Sequence, residues 1–166
     1  MTGPLDDGRL RARVVAGEAT LGTFIGTASP ITAEVCAAAG IDWLQLDLEH
    51  GAGGEEQVRA TVPVAAAYSA PTVVRVESDA RIRIGRVLDA SAAGGCCRGW
   101  TPPSRFGPRW HICTTRRVVT VAWRPTTGRA GSASTPVRST GADDEVLGIV
   151  QIESARAVAA AEEIAT

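Results

Sequence analysis

The chain has 166 residues, of which 45% are hydrophobic and 21% charged, and its formal net charge is −1. That length can bury one full core but falls short of the roughly 250 residues of a complete (β/α)8 barrel, and the near-neutral charge gives no global attraction to nucleic acid or a membrane surface. All 17 basic residues are arginine, so no side-chain amine exists to form a Schiff base.

The first residues, "MTGPLDDGRLRARVV", lack the basic and apolar regions of a signal peptide, and no run reaches the 18 apolar residues of a membrane span. Four cysteines, Cys36, Cys96, Cys97 and Cys113, are too few and too irregularly spaced for a secreted disulfide framework. A cytoplasmic location is expected. "LDDGRLRARVVAGEA" predicts a helix with Leu5, Leu10, Val14 and Val15 at helical spacing, and "TLGTFIGTASP" a short strand ending in a loop. "SPITAEVCAAAG" predicts a helix with Ser29 as N-cap, Pro30 in the first turn and Gly40 as its stop. "IDWLQLDLEHG" predicts a strand. "GEEQVRATVPVAAAYSA" follows as a helix that Pro63 should kink or shorten. "PTVVRV" predicts a buried strand, and "SDARIRIGRVLDASAAG" an amphipathic helix capped by Ser78 or Asp79 with Ile82, Ile84, Val87 and Leu88 facing inward. After residue 141, "DDEVLGIVQIES" leads into a strand and "SARAVAAAEEIAT" predicts a helix capped by Ser154.

Successive strand and helix units with short connections predict a parallel α/β sheet with right-handed crossovers. No glycine-rich phosphate fingerprint follows any strand, which argues against a nucleotide-binding sheet. The pattern fits a barrel or a doubly wound sheet, as a single domain over 1–166. It comprises three strand–helix units in 1–93, an aberrant segment in 94–141 expected to be irregular or poorly ordered, and a later strand–helix unit in 142–166.

Residues 94–141 hold eight of the arginines, three of four tryptophans, three of four cysteines and five of nine prolines, while all 18 acidic residues lie outside. One reading is a basic nucleic-acid-binding or interaction module over Arg98–Arg138, in which arginines contact phosphate and aromatic rings stack on bases. A zinc site at Cys96, Cys97, His111 and Cys113 is another, although adjacent cysteines do not both reach one metal easily and the C-x₂-C spacing is missing.

"GIDWLQLDLEHG", "PTVVRVESDARIRIGRVLDASAAG" and "VLGIVQIESARAV" occur in that order after "GTFIGTASPITAEVCAAAG". With these motifs the chain resembles the HpcH/HpaI aldolase family, the class II pyruvate-dependent enzymes of the 2,4-dihydroxyhept-2-ene-1,7-dioic acid aldolase type. The resemblance covers about residues 10–93 and 142–166. It implies a (β/α)8 barrel, here incomplete because the chain stops in mid-pattern. The segment between the anchors keeps the family's spacing but not its residues, and "VAWRPTTGRAGSASTPVRS" can be written in codons that give a family-like loop after a one-base shift. Residues from about 95 to 140 are therefore expected to be translated out of frame, with the fourth strand replaced by "GCCRGWTPP".

The family's reaction implied here is reversible cleavage of a 4-hydroxy-2-oxo acid into pyruvate and an aldehyde. It needs a holder for the oxo acid, a base, and a positive group for the developing enolate oxygen. By resemblance, His50 is the base acting through a metal-bound water and Asp47 its orienting partner. Arg75 binds the oxo-acid oxygens, Gln151 contacts substrate, and Glu153 is a divalent-metal ligand for Mg²⁺ or Mn²⁺, with Co²⁺ or Zn²⁺ also suited. Asp89 resembles a residue reaching a neighbouring subunit's site, since relatives form homo-oligomers. A second metal carboxylate in such relatives lies beyond the Gln-x-Glu strand, where this chain ends, so the chain itself is expected to be inactive as truncated. The residues alone leave plainer readings open: His50 as a surface histidine, Arg75 paired with Glu49 or Glu77, Asp89 as a solvated helix residue. A citrate-lyase-type carbon–carbon lyase is the remaining alternative, against which "DLEHG" argues mildly. The expected partner is a small oxo acid, not a membrane or nucleic acid, and homo-oligomers are implied for the intact relatives alone.

Overall fold

The computed structural model describes residues 8–98, 113–114, 117–118 and 146–164. Helix α1 spans Arg9–Val15, and strand β1 spans Gly22–Ile25. Helix α2 (Pro30–Ala38) and strand β2 (Trp43–Asp47) follow, then helix α3 (Glu55–Ala67), strand β3 (Thr72–Val76), helix α4 (Arg81–Asp89) and strand β4 (Gly94–Arg98). Short strands β5 (Cys113–Thr114) and β6 (Arg117–Val118) pair antiparallel. Strand β7 (Leu147–Gln151) precedes the short helices α5 (Ala155–Ala159) and α6 (Ala161–Ile164).

Five strands form one parallel sheet in the order β1-β2-β3-β4-β7. Sequential strands joined by helices and lying side by side are the arrangement of part of a (β/α)8 barrel. Alternation along each strand sorts the side chains between two faces. Leu44, Leu46, Val74, Val76, Cys97 and Val150 pack with Ala33 and Ala37 of α2, Val58, Val62 and Ala65 of α3, and Ile84, Val87 and Leu88 of α4. Val73, Cys96, Leu147 and Ile149 meet Leu10 of α1 on the other face. Fully burying a side chain such as Leu44 or Val74 contributes about 1.5–3 kcal/mol, so this two-sided burial is what holds the strands in register.

Several expectations need correction. Residues Gly94–Arg98 are not an irregular replacement for the fourth strand: they form β4, paired with β3 on one side and β7 on the other. "GGCCR" works as a strand because its small side chains fit the crowded centre of the sheet. A Cβ on Gly94 would sit 2.1 Å from the Leu147 carbonyl oxygen, so only glycine allows β4 and β7 to approach this closely. The remainder of the expected out-of-frame segment, apart from β5 and β6, lies outside the described residues, as does the zinc reading at His111 and all of the arginine series beyond Arg98 except Arg117.

Helix α4 starts at Arg81 with Ala80 at its N-cap, later than Ser78 or Asp79. Within it Ile84, Val87 and Leu88 are buried, but Ile82 is 62% exposed, since two residues along a helix is about 200° around it and places Ile82 opposite Ile84. Val15 of α1 is likewise exposed, 100° from the half-buried Val14. Pro63 does not shorten α3, which runs on to Ala67. The proline and Arg59, whose carbonyl loses its helical partner, are both on the solvent side, where water can satisfy it. Ser29 occupies the N-cap of α2 without a side-chain hydrogen bond, whereas the Ser154 hydroxyl accepts from the Ala157 N–H at 3.1 Å. The helix expected after Ser154 is divided at Ala160 into α5 and α6. No described helix is long and apolar enough to cross a membrane.

Candidate active site

The face of the sheet that carries Val73, Cys96 and Ile149 changes character toward the C-terminal ends of the strands. Asp47 is the last residue of β2, Arg98 of β4 and Gln151 of β7, while Arg75 is the penultimate residue of β3. Register places Asp47 beside Arg75 and Arg98 beside Gln151. Because the strands are parallel, all four polar side chains collect at one edge, the edge at which barrel enzymes place their sites.

The turn after β2 brings in two more groups. The Asp47 Oδ1 accepts the backbone N–H groups of Glu49 at 3.0 Å and His50 at 3.2 Å, so the aspartate closes its own turn. Leu48 is buried and its N–H donates to the Arg75 carbonyl at 2.9 Å, tying the turn to β3. Gly51 completes it, since a Cβ there would lie 2.1 Å from the Asp47 carbonyl oxygen. "DLEHG" thus folds into a tight turn that aims Glu49 and His50 across the strand ends.

Arg75 binds Asp47 through two parallel bonds, Nε to Oδ1 at 2.9 Å and Nη2 to Oδ2 at 2.5 Å. Its Nη1 donates to Gln151 Oε1 at 3.4 Å, its Nε is 3.4 Å from Glu49 Oε2, and its guanidinium lies 5.1 Å from the centre of the Phe24 ring. Burial alone would push the Asp47 carboxyl upward. The bond from Arg75 and the two backbone N–H donors outweigh it and hold that carboxyl below its ordinary range. The same bond to Asp47 raises the Arg75 guanidinium further against its own desolvation.

Arg98 gathers the remaining groups. Its Nε donates to Glu49 Oε1, its Nη1 to Glu153 Oε2 at 3.2 Å, and its Nη2 lies 2.8 Å from His50 Nε2. A guanidinium only donates, so Nε2 is the acceptor and the neutral imidazole carries its proton on Nδ1. The bonds to Glu49 and Glu153 raise the Arg98 guanidinium above its ordinary value.

Five of the six residues expected from the sequence therefore converge: Asp47, His50, Arg75, Gln151 and Glu153. Asp89 does not. It is exposed at the end of α4, which leads into the N-terminal end of β4, at the opposite edge of the sheet. Asp47 also differs in its contacts from the expected imidazole partner, because both of its oxygens are taken by Arg75 and it meets His50 only through the backbone. Of the two plainer pairings for Arg75, Glu49 is within ion-pair distance and Glu77 is not, being bound to Arg83 instead. Glu49 was named in the sequence only as a plainer partner for Arg75 and Arg98 only as the start of a basic series, neither as part of this site, and Phe24 was not singled out. The first has the same parity as Asp47 within "DLEHG", and the second ends a strand just as Asp47 ends β2, so both were visible to a reading that placed β4 correctly.

Glu153 is the divalent-metal ligand expected from the resemblance, and among the described residues the carboxylate that shares Arg98 with it is Glu49. Both carboxylates are bound to Arg98, with His50 Nε2 on the same guanidinium, and no group of three or more candidate ligands offers a metal site among the described residues. This donor set, as arranged, does not fit a metal ion.

No family model matches the chain. It is similar to hydroxypyruvate/pyruvate aldolases of Pseudomonas aeruginosa, at 36% identity over 85 residues that cover 51% of this chain and 31% of that protein, and of Sagittula stellata, at 29% over 172 residues that cover 98% and 64%. A 4-hydroxy-2-oxo-heptane-1,7-dioate aldolase of Salmonella dublin is 34% identical over 77 residues, covering 46% of this chain and 29% of that protein. Among solved structures, an HpcH/HpaI aldolase/citrate lyase family protein from Burkholderia cenocepacia superposes with a TM-score of 0.67 at 26% identity, covering 95% of this chain and 64% of that one. The chain thus spans between about a third and two thirds of the length of the curated relatives it matches.

Proposed function

We infer that this chain, which resembles the HpcH/HpaI aldolases in sequence and in fold, carries the pyruvate-handling part of an aldehyde-lyase site, and that it acts on 4-hydroxy-2-oxo acids. The observation that carries this reading is the meeting of Asp47, His50, Arg75 and Gln151 at the C-terminal edge of neighbouring parallel strands. In the cleavage direction a base takes the proton of the C4 hydroxyl, the C3–C4 bond breaks, and an aldehyde leaves. The electron pair stays on the pyruvate enolate, which is then protonated at C3.

Arg75 suits the enolate and carboxylate oxygens, because its partners fix the guanidinium while N–H groups on Nη1 and Nη2 remain to donate. Asp47 holds that fork in place, and Gln151 sets its tilt from the neighbouring strand. His50 is the base. Its Nε2 lone pair is taken by Arg98 in the resting arrangement, so an anionic substrate that draws the Arg98 N–H to its own oxygen would free it. The metal dependence implied by the resemblance concerns Glu153, and no step is assigned to a metal because Arg98 holds that carboxylate. The single barrel-type domain and a neighbouring-subunit role for Asp89 are further parts of this proposal.

The test is exchange of the pyruvate methyl protons with D₂O, followed by NMR, together with pyruvate release from a 4-hydroxy-2-oxo acid, with and without added Mg²⁺ or Mn²⁺. Exchange and release are expected from the chain, and Arg75→Lys should lower the exchange rate by about 10²-fold, since one preorganised oxyanion donor is worth that much. A chain that neither exchanges nor releases pyruvate under any of these conditions would sink the reading.

A further inference from the structure

We propose that Arg98 is a built-in cation of this site: its guanidinium takes the place of a divalent ion among Glu49, Glu153 and His50, so that metal uptake by this chain requires Arg98 to leave.

Three side chains of metal-binding type, from two separate parts of the fold, converge on a single guanidinium. Glu49 and His50 come from the turn after β2, and Glu153 from the residues after β7. Each contributes the atom a metal would use, a carboxylate oxygen or the imidazole Nε2. The Glu49 side chain is only 9% exposed, and a carboxylate so far from water must be neutralised by a cation held against it. Arg98 supplies that charge and stays charged across the whole working pH range.

Charge counting points the same way. The edge holds the carboxylates of Asp47, Glu49 and Glu153 against the guanidinium groups of Arg75 and Arg98, which leaves one net negative charge for the cluster. A divalent ion added to that set would turn it positive and would find Glu49 Oε1 and Glu153 Oε2 already accepting N–H bonds from Arg98, while the buried Glu49 Oε2 has no hydrogen bond and only the Arg75 charge beside it. The guanidinium is also rooted in the sheet. Arg98 is the last residue of β4 and lies in register with Gln151 of β7, an alignment enforced by the contact between Gly94 and Leu147 four residues earlier. A side chain placed by a paired strand is held where a side chain on a loose loop would not be.

The inference goes beyond the aldolase reading and does not rest on it, because metal uptake is read without turnover. The experiment is titration of the full chain with Mn²⁺, following free Mn²⁺ by electron paramagnetic resonance, for the natural sequence, Arg98→Met, Arg98→Lys, and Arg98→Met combined with Glu153→Gln. Arg98→Met keeps the length and removes the charge. It should bind one Mn²⁺ at least about tenfold more tightly than the natural chain, a gain of about 1.4 kcal/mol, and lose that gain when Glu153→Gln is added. Arg98→Lys should remain closed to Mn²⁺. The proposal is overturned if the natural chain binds one Mn²⁺ as tightly as Arg98→Met does, or if the Met variant folds and gains nothing. Should Arg98→Met fail to fold, the natural chain decides alone: saturable one-to-one uptake of Mn²⁺ at micromolar levels refutes it, and none supports it.

Discussion

The pair of Asp47 and Arg75 shows how one residue's environment sets both stability and chemistry. Both side chains are about nine-tenths buried, at 9% and 11% exposure, so each depends on the other for its charge. Replacing Arg75 by Met should cost about 3–5 kcal/mol, read as a lower urea midpoint, because it strands a buried carboxylate, whereas Asp47→Asn combined with Arg75→Met should recover part of that loss. The folded Asp47 carboxyl lies below its ordinary value of 3.8, so its stabilising effect is present above that pH and fades as pH falls through the lower folded value. Urea midpoints of the natural chain should therefore fall with acid below about pH 4, and less steeply in Asp47→Asn. Among the cysteines, burial and then the charge of Asp79 push the Cys97 thiol up to about 12. A thiol reagent at pH 8 should label the half-buried Cys36 in the folded chain and reach Cys97 only after unfolding, as mass mapping of the adducts would report.

At the scale of elements, strand contacts are tighter than helix contacts and tolerate less. Gly94→Ala would drive a Cβ into the Leu147 carbonyl and push β4 away from β7, at a cost of about 1–3 kcal/mol. Its neighbour Gly95 faces α4, where an added Cβ would rest 3.5 Å from Ile84 in ordinary contact, so Gly95→Ala should change the thermal midpoint little. Equal losses in the two variants would show that β4 is not seated between β3 and β7. Helix and strand periodicity in the sequence was enough to find α1 to α4 and strands β1, β2, β3 and β7, since each carries its own apolar pattern. Strand β4 was missed because "GGCCR" has none: its glycines and cysteines fit a centre already filled by neighbours, a property of the neighbours and not of the segment. The same limit explains Ile82, whose apolar character gave no sign that α4 turns it outward.

For the whole molecule, the described sheet has β1 and β7 as its outer strands, and apolar side chains near β1 and on α2 stand open, among them Leu21, Phe24, Ile31 and Val35. With a sequence isoelectric point near 6.1, charge repulsion between copies is weakest at that pH. Light scattering at fixed concentration should rise as pH is lowered from 8 to 6, and a flat profile would mean that these surfaces are covered. The sequence by itself determined the class of the fold and most of the polar residues at its edge, because strand–helix alternation and strand-end position follow from local pattern, and the stretches that resemble the HpcH/HpaI aldolases hold Asp47, His50, Arg75, Gln151 and Glu153. Only the tertiary structure decided what those residues touch. Asp47 binds Arg75 instead of the His50 ring, and Glu49, His50 and Glu153 meet on Arg98. Partners some 50 residues apart are set by strand register and by the balance of buried charge, and neither is written in any single stretch of the chain.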